Sequence, residues 1–238
     1  MPRIELSESA GLSDLLRHPI SAERPQSMES LGQEYGFVLY RKHISQPSQG
    51  HLDVAGVHDY AVVYQGNNLL GTLDRRCKEH ALEVKLASSH PVEILVENLG
   101  RINFGLKMMD DRKGITGKVT FNGEEWTGWE EYVLPMTDFS ALKFSRNLLH
   151  GPAFYRGTFE LASLGDTFLD LRGCGKGFVL VNGQNLGRYW HIGPQQSLFL
   201  PATVLKLGKN EIVVFDVEQS GKRSVAGGKN AIFETYAN

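Results

Sequence analysis

Short apolar runs alternate with turn-forming residues along most of the chain. Residues 82–86, Leu-Glu-Val-Lys-Leu, and residues 92–96, Val-Glu-Ile-Leu-Val, repeat apolar side chains at every second position. This period predicts strands with one face in the core. Residues 177–181, Gly-Phe-Val-Leu-Val, form a continuous apolar run, which is typical of a strand buried on both faces. Asn122-Gly123 and Asn182-Gly183 follow such runs and predict tight hairpins, because type I′ turns need positive φ at both central residues.

The other apolar runs predict further strands and almost no helix. These strands are expected at residues 36–40, 58–64, 118–121, 129–134, 153–161, 167–171, 197–200 and 210–217. Residues 203–207 predict one helical turn that ends at Gly208. Residues 1–27 lack a sustained pattern and are expected to be irregular and linker-like. The Gly- and Lys-rich tail at 219–229 is expected to be mobile.

Together these elements predict an all-β protein with two domains. A chain of 238 residues has room for two small domains, and its 26 glycines and 9 prolines supply many turns. We expect two antiparallel domains of the β-sandwich or jelly-roll type, at residues 28–124 and 125–238. The boundary is placed near the Asn122-Gly123 turn, and residues 1–27 precede the first domain.

Composition and charge exclude several classes of protein. The 25 basic and 27 acidic side chains leave a net charge of −2, which argues against nucleic acid as a partner. The longest apolar runs are too short to span a membrane, and the first residues do not resemble a signal peptide. Cys77 and Cys174 are far apart and lack Cys-x-x-Cys spacing, so we expect neither a disulfide framework nor a zinc site, and a cytoplasmic location.

The sequence shows no motif for catalysis or cofactor binding. Acid–base chemistry needs two converging carboxyl groups, but the doublets Asp110-Asp111, Glu124-Glu125 and Glu130-Glu131 point to opposite faces of a strand and are expected to be solvated. No two histidines have metal-site spacing, and Gly-x-Ser-x-Gly is absent. The glycine-rich run 173–177 lacks the ending of a phosphate loop and is expected to be a flexible connection. No catalytic residue, metal ligand or cofactor is therefore predicted.

One segment places aromatic rings beside amides and a guanidinium. Sugars stack an apolar ring face on aromatic side chains while planar polar groups bind their hydroxyls. The side chains with this chemistry predict a small carbohydrate site; they are Asn182, Gln184, Asn185, Arg188 and Trp190. The alternative is a tight hairpin in which the Asn and Gly residues serve the turn, with Arg188 and Trp190 packed under a loop.

Several motifs resemble those of one enzyme family. Residues 94–105, Ile-Leu-Val-Glu-Asn-Leu-Gly-Arg-Ile-Asn-Phe-Gly, resemble a signature of the β-galactosidases of glycoside hydrolase family 35. So do residues 151–159, Gly-Pro-Ala-Phe-Tyr-Arg-Gly-Thr-Phe. Shorter matches lie at 30–40, 166–170, 181–190 and 193–196. The matches together extend over about residues 28–217.

The resemblance implies a C-terminal fragment rather than a complete enzyme. In this family the proton donor and the nucleophile are two glutamates on a (β/α)₈ barrel, which takes about 200–250 residues with alternating strands and helices. This chain lacks that pattern, so no catalytic glutamate is carried over. The implied fold is two all-β domains, the second like galactose-binding jelly rolls. The implied partner is the catalytic barrel, on the same gene product or on a separate subunit.

The resemblance also implies a role for the loop around Phe104. In the family this position is commonly a tyrosine, and its loop approaches the galactose pocket of the barrel. Arg101, Asn103 and Phe104 are therefore expected to shape or brace the rim of that pocket. Phe104 lacks the tyrosine hydroxyl, so any hydrogen bond from it is lost. Arg101 is expected to fix the loop through charge-assisted hydrogen bonds.

Three hypotheses about function follow. The first is the non-catalytic β-region of a retaining β-galactosidase, which supports the active-site rim and the assembly of the enzyme. The second is a stand-alone carbohydrate-binding module that binds galactosides. The third is a protein-interaction domain, with a second copy of the chain as one candidate partner, because a surface that faced a barrel would be exposed and apolar.

Overall fold

The computed structural model describes residues 1–218 and 220–233, and its regular secondary structure consists almost entirely of short strands. In chain order they are β1 (Ile4–Glu5), β2 (Glu8–Gly11), β3 (Ile20–Ala22), β4 (Phe37–Lys42), β5 (Ser48–Val54), β6 (Val57–His58), β7 (Tyr60–Gln65), β8 (Asn68–Asp74), β9 (Ala81–Leu86), β10 (Val92–Glu97), β11 (Gly114–Ile115), β12 (Val119–Phe121), β13 (Glu124–Glu125), β14 (Trp129–Leu134), β15 (Ala153–Leu161), β16 (Thr167–Asp170), β17 (Lys176–Val181), β18 (Gln184–Trp190), β19 (Ser197–Leu200), β20 (Gly208–Asp216) and β21 (Ser224–Gly228).

Across residues 1–218 and 220–233, helical structure is confined to short 3₁₀ turns. They lie at Leu12–Leu15, Arg75–Cys77, Met108–Asp110 and Ala202–Val204. No helix within the described residues is long and apolar enough to cross a membrane. The all-β prediction is therefore confirmed, and the last of these turns overlaps the one predicted at 203–207.

The chain divides into two compact units. The middle unit comprises residues 15–140, and the split unit comprises residues 1–14 with the chain from residue 141 onward. The middle unit pairs a six-stranded sheet, β3-β14-β4-β10-β7-β8, with a four-stranded sheet, β13-β12-β5-β9, and a small β11-β6 ladder. Val38 and Ile94 of the large sheet join Leu52 and Val84 of the smaller sheet in one buried cluster. The unit is thus a sandwich stabilised by apolar burial between two sheets.

The split unit is a second antiparallel sandwich. Its sheets have the orders β18-β17-β20-β15-β2 and β1-β21-β16-β19. Val179 and Val214 of the first sheet pack with Leu169 and Leu198 of the second in one buried cluster. Continuous burial along Lys176–Val181 confirms the prediction of a strand that is buried on both faces.

Both predicted Asn-Gly hairpins are present. Asn122 and Gly123 have φ of +51° and +84° between β12 and β13, and Asn182 and Gly183 have φ of +51° and +82° between β17 and β18. Asparagine tolerates this left-handed conformation and glycine adopts it without strain. These turns are therefore determined by local chemistry.

The predicted domain boundary is wrong. The Asn122-Gly123 turn lies inside the middle unit, because β14 follows it and pairs with β4 of the six-stranded sheet. The division falls instead near residues 140–141. A hairpin turn and a domain linker use the same residue types, so composition alone does not separate them.

Three segments are more ordered than the sequence suggested. Residues 1–27 contain β1, β2 and β3, which pair with β21, β15 and β14. Much of the tail at 219–229 is ordered as well, because β21 pairs with β16, although Gln219 lies outside the described residues. The run 173–177 is not a flexible connection, since the amide of Gly175 donates to the buried carboxylate of Asp216. Each segment gains its order from a strand that is distant in sequence.

Candidate functional site

The loop between β10 and β11 presents apolar side chains to solvent. Its bulkiest residues are each at least 45% exposed, and Phe104 is 90% exposed; they are Ile102, Phe104, Leu106, Met108 and Met109. A concentration of large exposed apolar side chains in one loop is typical of interaction sites on soluble proteins. We call residues 99–110 the apolar loop.

A buried ion cluster lies under the apolar loop. The ammonium of Lys113 contacts both carboxylate oxygens of Asp59, at 3.0 and 2.9 Å, and Oδ2 of Asp111 at 3.3 Å. Arg75 joins the same carboxylates through one nitrogen, at 2.9 Å from Asp59 and 3.4 Å from Asp111. Asp59, Asp111 and Lys113 are all buried, so each charge depends on the others for compensation.

The two carboxylates of the cluster also bind the backbone of the apolar loop. The amide of Leu99 donates to Asp59 Oδ2 and the amide of Ile102 donates to Asp111 Oδ2, each at 3.0 Å. The guanidinium of Arg101 donates to the backbone oxygens of Asp111 and Glu34 at 3.0 and 3.2 Å. It also forms a 2.6 Å ion pair with Glu29. The start of the loop is thereby fixed by charge-assisted hydrogen bonds.

The electrostatics of the cluster argue against a general-acid role for Asp111. Burial alone would raise the pKa of Asp111, but the hydrogen bond from the Ile102 amide and the contact with Lys113 lower it below its ordinary value. A general acid needs the opposite shift. Asp111 is instead paired with Lys113 and Arg75 and binds the loop through the amide of Ile102.

A cleft opens beside the start of the apolar loop. Its volume is about 530 Å³, and it is lined by Asp59, Arg75, Arg76, Lys113 and residues 99–102. The cleft therefore brings the guanidinium groups of Arg75 and Arg76 next to the start of the apolar loop.

The structure places the residues predicted for the sugar-pocket rim in this loop. Arg101 has the fixing role expected of it, through the contacts with Asp111, Glu34 and Glu29. Asn103 and Phe104 are exposed and project from the fixed part of the loop. Their contribution to a sugar pocket stays a prediction.

The acidic doublets behave differently from the expectation of solvated charge. Asp110 and Glu130 are not buried, but Asp111 is buried in the ion cluster and Glu131 is fully buried on the six-stranded sheet. Glu130 and Glu131 lie on β14, where adjacent side chains point to opposite faces as predicted, whereas Asp110 and Asp111 lie at the end of a 3₁₀ turn. What the sequence missed is that Asp111 and Glu131 face the interior, where Lys113 pairs with the first and Gln26 donates hydrogen bonds to the second.

Three of the five residues predicted for the carbohydrate site share one face of the β17–β18 hairpin. The register pairs Leu180 with Asn185, Phe178 with Arg188 and Lys176 with Trp190. Directly paired residues lie on the same face of a sheet, so Asn185, Arg188 and Trp190 are together. The ammonium of Lys176 lies 4.3 Å from the centre of the Trp190 ring, which is a cation–π geometry.

The other two residues lie elsewhere. The Asn182 side chain donates to the Val204 oxygen and to Asn210 Oδ1, at 2.8 and 2.9 Å, and its oxygen accepts from the Glu211 amide. It therefore serves the turn, as the alternative interpretation stated. Gln184 pairs with Val181, whose side chain belongs to the core face of the hairpin. Asn185 itself accepts a 2.8 Å hydrogen bond from the Gly187 amide next to the bulge.

Sequence reasoning missed Asp59, Arg75, Lys113 and Glu29. Asp59 and Lys113 are 54 positions apart and carry no motif that links them. The available signal was an acidic residue within the otherwise apolar strand region 57–64. Among the described residues there is no group of three or more side chains suited to hold a metal ion. Cys174 is buried, and burial raises the pKa of its thiol to about 12, which makes it unreactive.

Two protein-family models match separate parts of the chain. Residues 25–135 match the model described as "Beta-galactosidase, first all-beta domain". Residues 152–210 match the model described as "Beta-galactosidase, galactose-binding domain". The two matched ranges lie in the middle unit and in the split unit, respectively.

Curated relatives carry the same names. A beta-galactosidase of Xanthomonas manihotis is 44% identical over 202 residues, which cover 84% of this chain and 34% of the relative. The human beta-galactosidase-1-like protein 3 is 39% identical, over 87% of this chain and 33% of the relative. The chain thus spans about a third of the length of these relatives. Among solved structures, the apo lectin of Pleurotus ostreatus aligns with 92% of this chain and 83% of its own length, at 15% identity and a TM-score of 0.28.

Proposed function

We infer that this chain, whose residues 25–135 and 152–210 are the first all-β domain and the galactose-binding domain of β-galactosidases, is the non-catalytic C-terminal region of such an enzyme. The complete enzyme would hydrolyse terminal β-galactosides by the retaining mechanism, with both catalytic carboxyl groups on a barrel. The two free cysteines, one of them exposed, suit a reducing cytoplasm.

The apolar loop is the observation that carries this proposal. Phe104 and Met109 are each 90% exposed. Apolar side chains of this kind stabilise a complex when a partner covers them and removes them from water. The ion cluster fixes the start of the loop at Leu99 and Ile102, which lowers the conformational entropy that this part of the loop loses when a partner binds. We propose that the catalytic barrel is this partner and that the loop completes the rim of its galactose pocket.

The first test is the activity of the purified chain. We expect no hydrolysis of a chromogenic β-galactoside above the rate of buffer, because the converging carboxylates of the ion cluster, Asp59 and Asp111, are held in ion pairs by Lys113 and Arg75. Turnover that survives repurification would refute the non-catalytic assignment.

The second test is a pair of substitutions in the apolar loop. Phe104→Ser combined with Leu106→Ser is expected to leave the free energy of unfolding within about 0.5 kcal/mol, because both side chains are exposed. In the assembled enzyme, kcat/KM for a β-galactoside is expected to fall about tenfold or more, which corresponds to about 1.4 kcal/mol. Leu207→Ser, at an exposed position in the split unit, is the matched control and should leave kcat/KM unchanged. An unchanged kcat/KM in the loop variant would remove the rim role.

A second candidate function is sugar binding on the β17–β18 hairpin. The shared face of Asn185, Arg188 and Trp190 supports it. Titration of galactose or lactose should then shift the amide NMR signals of β18, with weakened binding in Arg188→Ala and unchanged binding in Gln184→Ala. The absence of shifts at about 50 mM sugar, far above typical millimolar affinities, would dismiss this function.

The protein-interaction hypothesis differs in the partner it names. If the apolar loop binds a second copy of the chain, sedimentation should show concentration-dependent dimers that Phe104→Ser abolishes. A strict monomer at high concentration would leave the barrel as the partner that we propose.

A further inference from the structure

We propose that Lys113 is the positioning residue of the apolar loop: its buried ammonium holds Asp59 and Asp111 in place, and these two carboxylates in turn fix the loop backbone at Leu99 and Ile102. The positioning itself is a property of this chain. The role of the positioned loop, as the rim of a sugar pocket, rests on the function proposed above.

The burial of Lys113 makes its role indirect. Its side chain is 3% exposed, and its ammonium is 2.9–3.3 Å from oxygens of both carboxylates. A group so enclosed acts on the loop only through its neighbours. Lysine is expensive to bury, and two carboxylates with good geometry compensate for that cost.

The carboxylates transmit this order to the loop. In each carboxylate, the Oδ2 atom that contacts the ammonium also accepts a hydrogen bond from a loop amide. Asp59 Oδ2 accepts from Leu99, and Asp111 Oδ2 accepts from Ile102. Without the ammonium, both carboxylates would lose its contacts at 2.9–3.3 Å and would repel each other, and among the described residues the partly exposed Arg75 would remain as their cation. They would separate or turn to solvent, and each would release the amide it holds.

The backbone of Lys113 is held by contacts that do not involve its ammonium. The amide of Lys113 donates to the Glu29 carboxylate at 3.1 and 3.2 Å, and its carbonyl accepts from the Met28 amide at 2.8 Å. These contacts use the backbone of Lys113 and remain when its side chain is changed. A side-chain substitution therefore isolates the effect of the ammonium.

The test is amide hydrogen exchange of the purified full chain, followed by NMR. In Lys113→Met, exchange at Leu99 and Ile102 is expected to accelerate about 30-fold or more over wild type, relative to Ile94 in the centre of the six-stranded sheet. Lys113→Arg keeps the positive charge and is expected to restore slow exchange to within a few-fold. Lys118→Met is the matched control, because Lys118 is 64% exposed and pairs with Glu125, away from the loop; its loop amides should exchange as in wild type.

A second variant covers the case in which Lys113→Met does not fold. Asp59→Asn combined with Lys113→Met removes one charge of each sign, so no extra uncompensated charge is created. Faster exchange at Ile102 with an unchanged Ile94 would support the proposal in this variant too. Slow, wild-type exchange at Leu99 and Ile102 in a folded Lys113→Met chain, or at Ile102 in the double variant, would overturn it. The measurement needs no barrel, so it is independent of the kcat/KM test of the proposed function.

Discussion

Gly177→Ala is expected to lower the stability of the split unit by about 3 kcal/mol or more. A methyl group at position 177 would lie 1.8 Å from the backbone oxygen of Phe215, well inside van der Waals contact. To relieve this steric clash, β17 would have to move away from β20, its neighbour in the sheet. The same oxygen accepts a 2.9 Å hydrogen bond from the buried Tyr189 hydroxyl, which such a shift would also break.

Urea unfolding followed by Trp190 fluorescence measures this effect, because Trp190 lies in the split unit. Gly165→Ala is the matched control: no atom lies within 4 Å of the position its Cβ would take, and a gain of a few tenths of a kcal/mol is expected there. A Gly177→Ala midpoint equal to that of wild type would show that the two strands do not approach as closely as the structure has them.

The pH dependence of the stability of the middle unit is expected to depend on Glu131. Burial raises the pKa of this carboxyl from 4.5 to about 7, although hydrogen bonds from the Gln26 amide and side chain act in the opposite direction. The folded state therefore holds the proton more tightly than the unfolded state. The stabilisation is fully present below pH 4.5, is lost as the pH rises toward 7, and amounts to at most about 3 kcal/mol.

Glu131→Gln should remove this dependence because the amide does not titrate. We expect the variant to be more stable than wild type at pH 8, by up to about 3 kcal/mol, and similar to or less stable than wild type at pH 5. Glu124→Gln, an exposed acid on β13, is the control and should follow wild type. Urea midpoints between pH 5 and 8, recorded by tryptophan fluorescence at Trp126 and Trp129, test this. Parallel wild-type and Glu131→Gln curves would contradict the buried, titrating carboxyl.

Local patterns predicted the strands and hairpins well. The period-two runs at 82–86 and 92–96 became β9 and β10, and the Asn-Gly pairs became turns between paired strands. These features depend on side-chain alternation and backbone φ, which a few neighbouring residues determine. Segments whose order comes from distant pairing were mispredicted, such as β1 against β21 and β2 against β15.

The residues of the candidate site were likewise predicted only in part. The motif around Arg101 was visible in the sequence, and the structure gives Arg101 its fixing contacts. Lys113 and Asp59 were not singled out, because a lysine in a mixed-charge run has the pattern of a polar turn. The prediction of solvated acids failed at Asp111 and Glu131, which are both buried: Asp111 pairs with Lys113 and Arg75, and Glu131 accepts from the amide of Gln26, which is 105 positions away.

The sequence by itself determined the all-β class, the hairpin turns and the resemblance to β-galactosidase domains, since each is encoded in short contiguous stretches. Only the tertiary structure decided where one unit ends and the next begins, which charges are buried, and which side chains share a face. Those properties depend on strands that meet across long separations, where burial removes solvent screening and a single opposite charge becomes decisive. The Asp59–Lys113–Asp111 cluster exists for that reason, and it holds in place the exposed loop that the sequence had already marked.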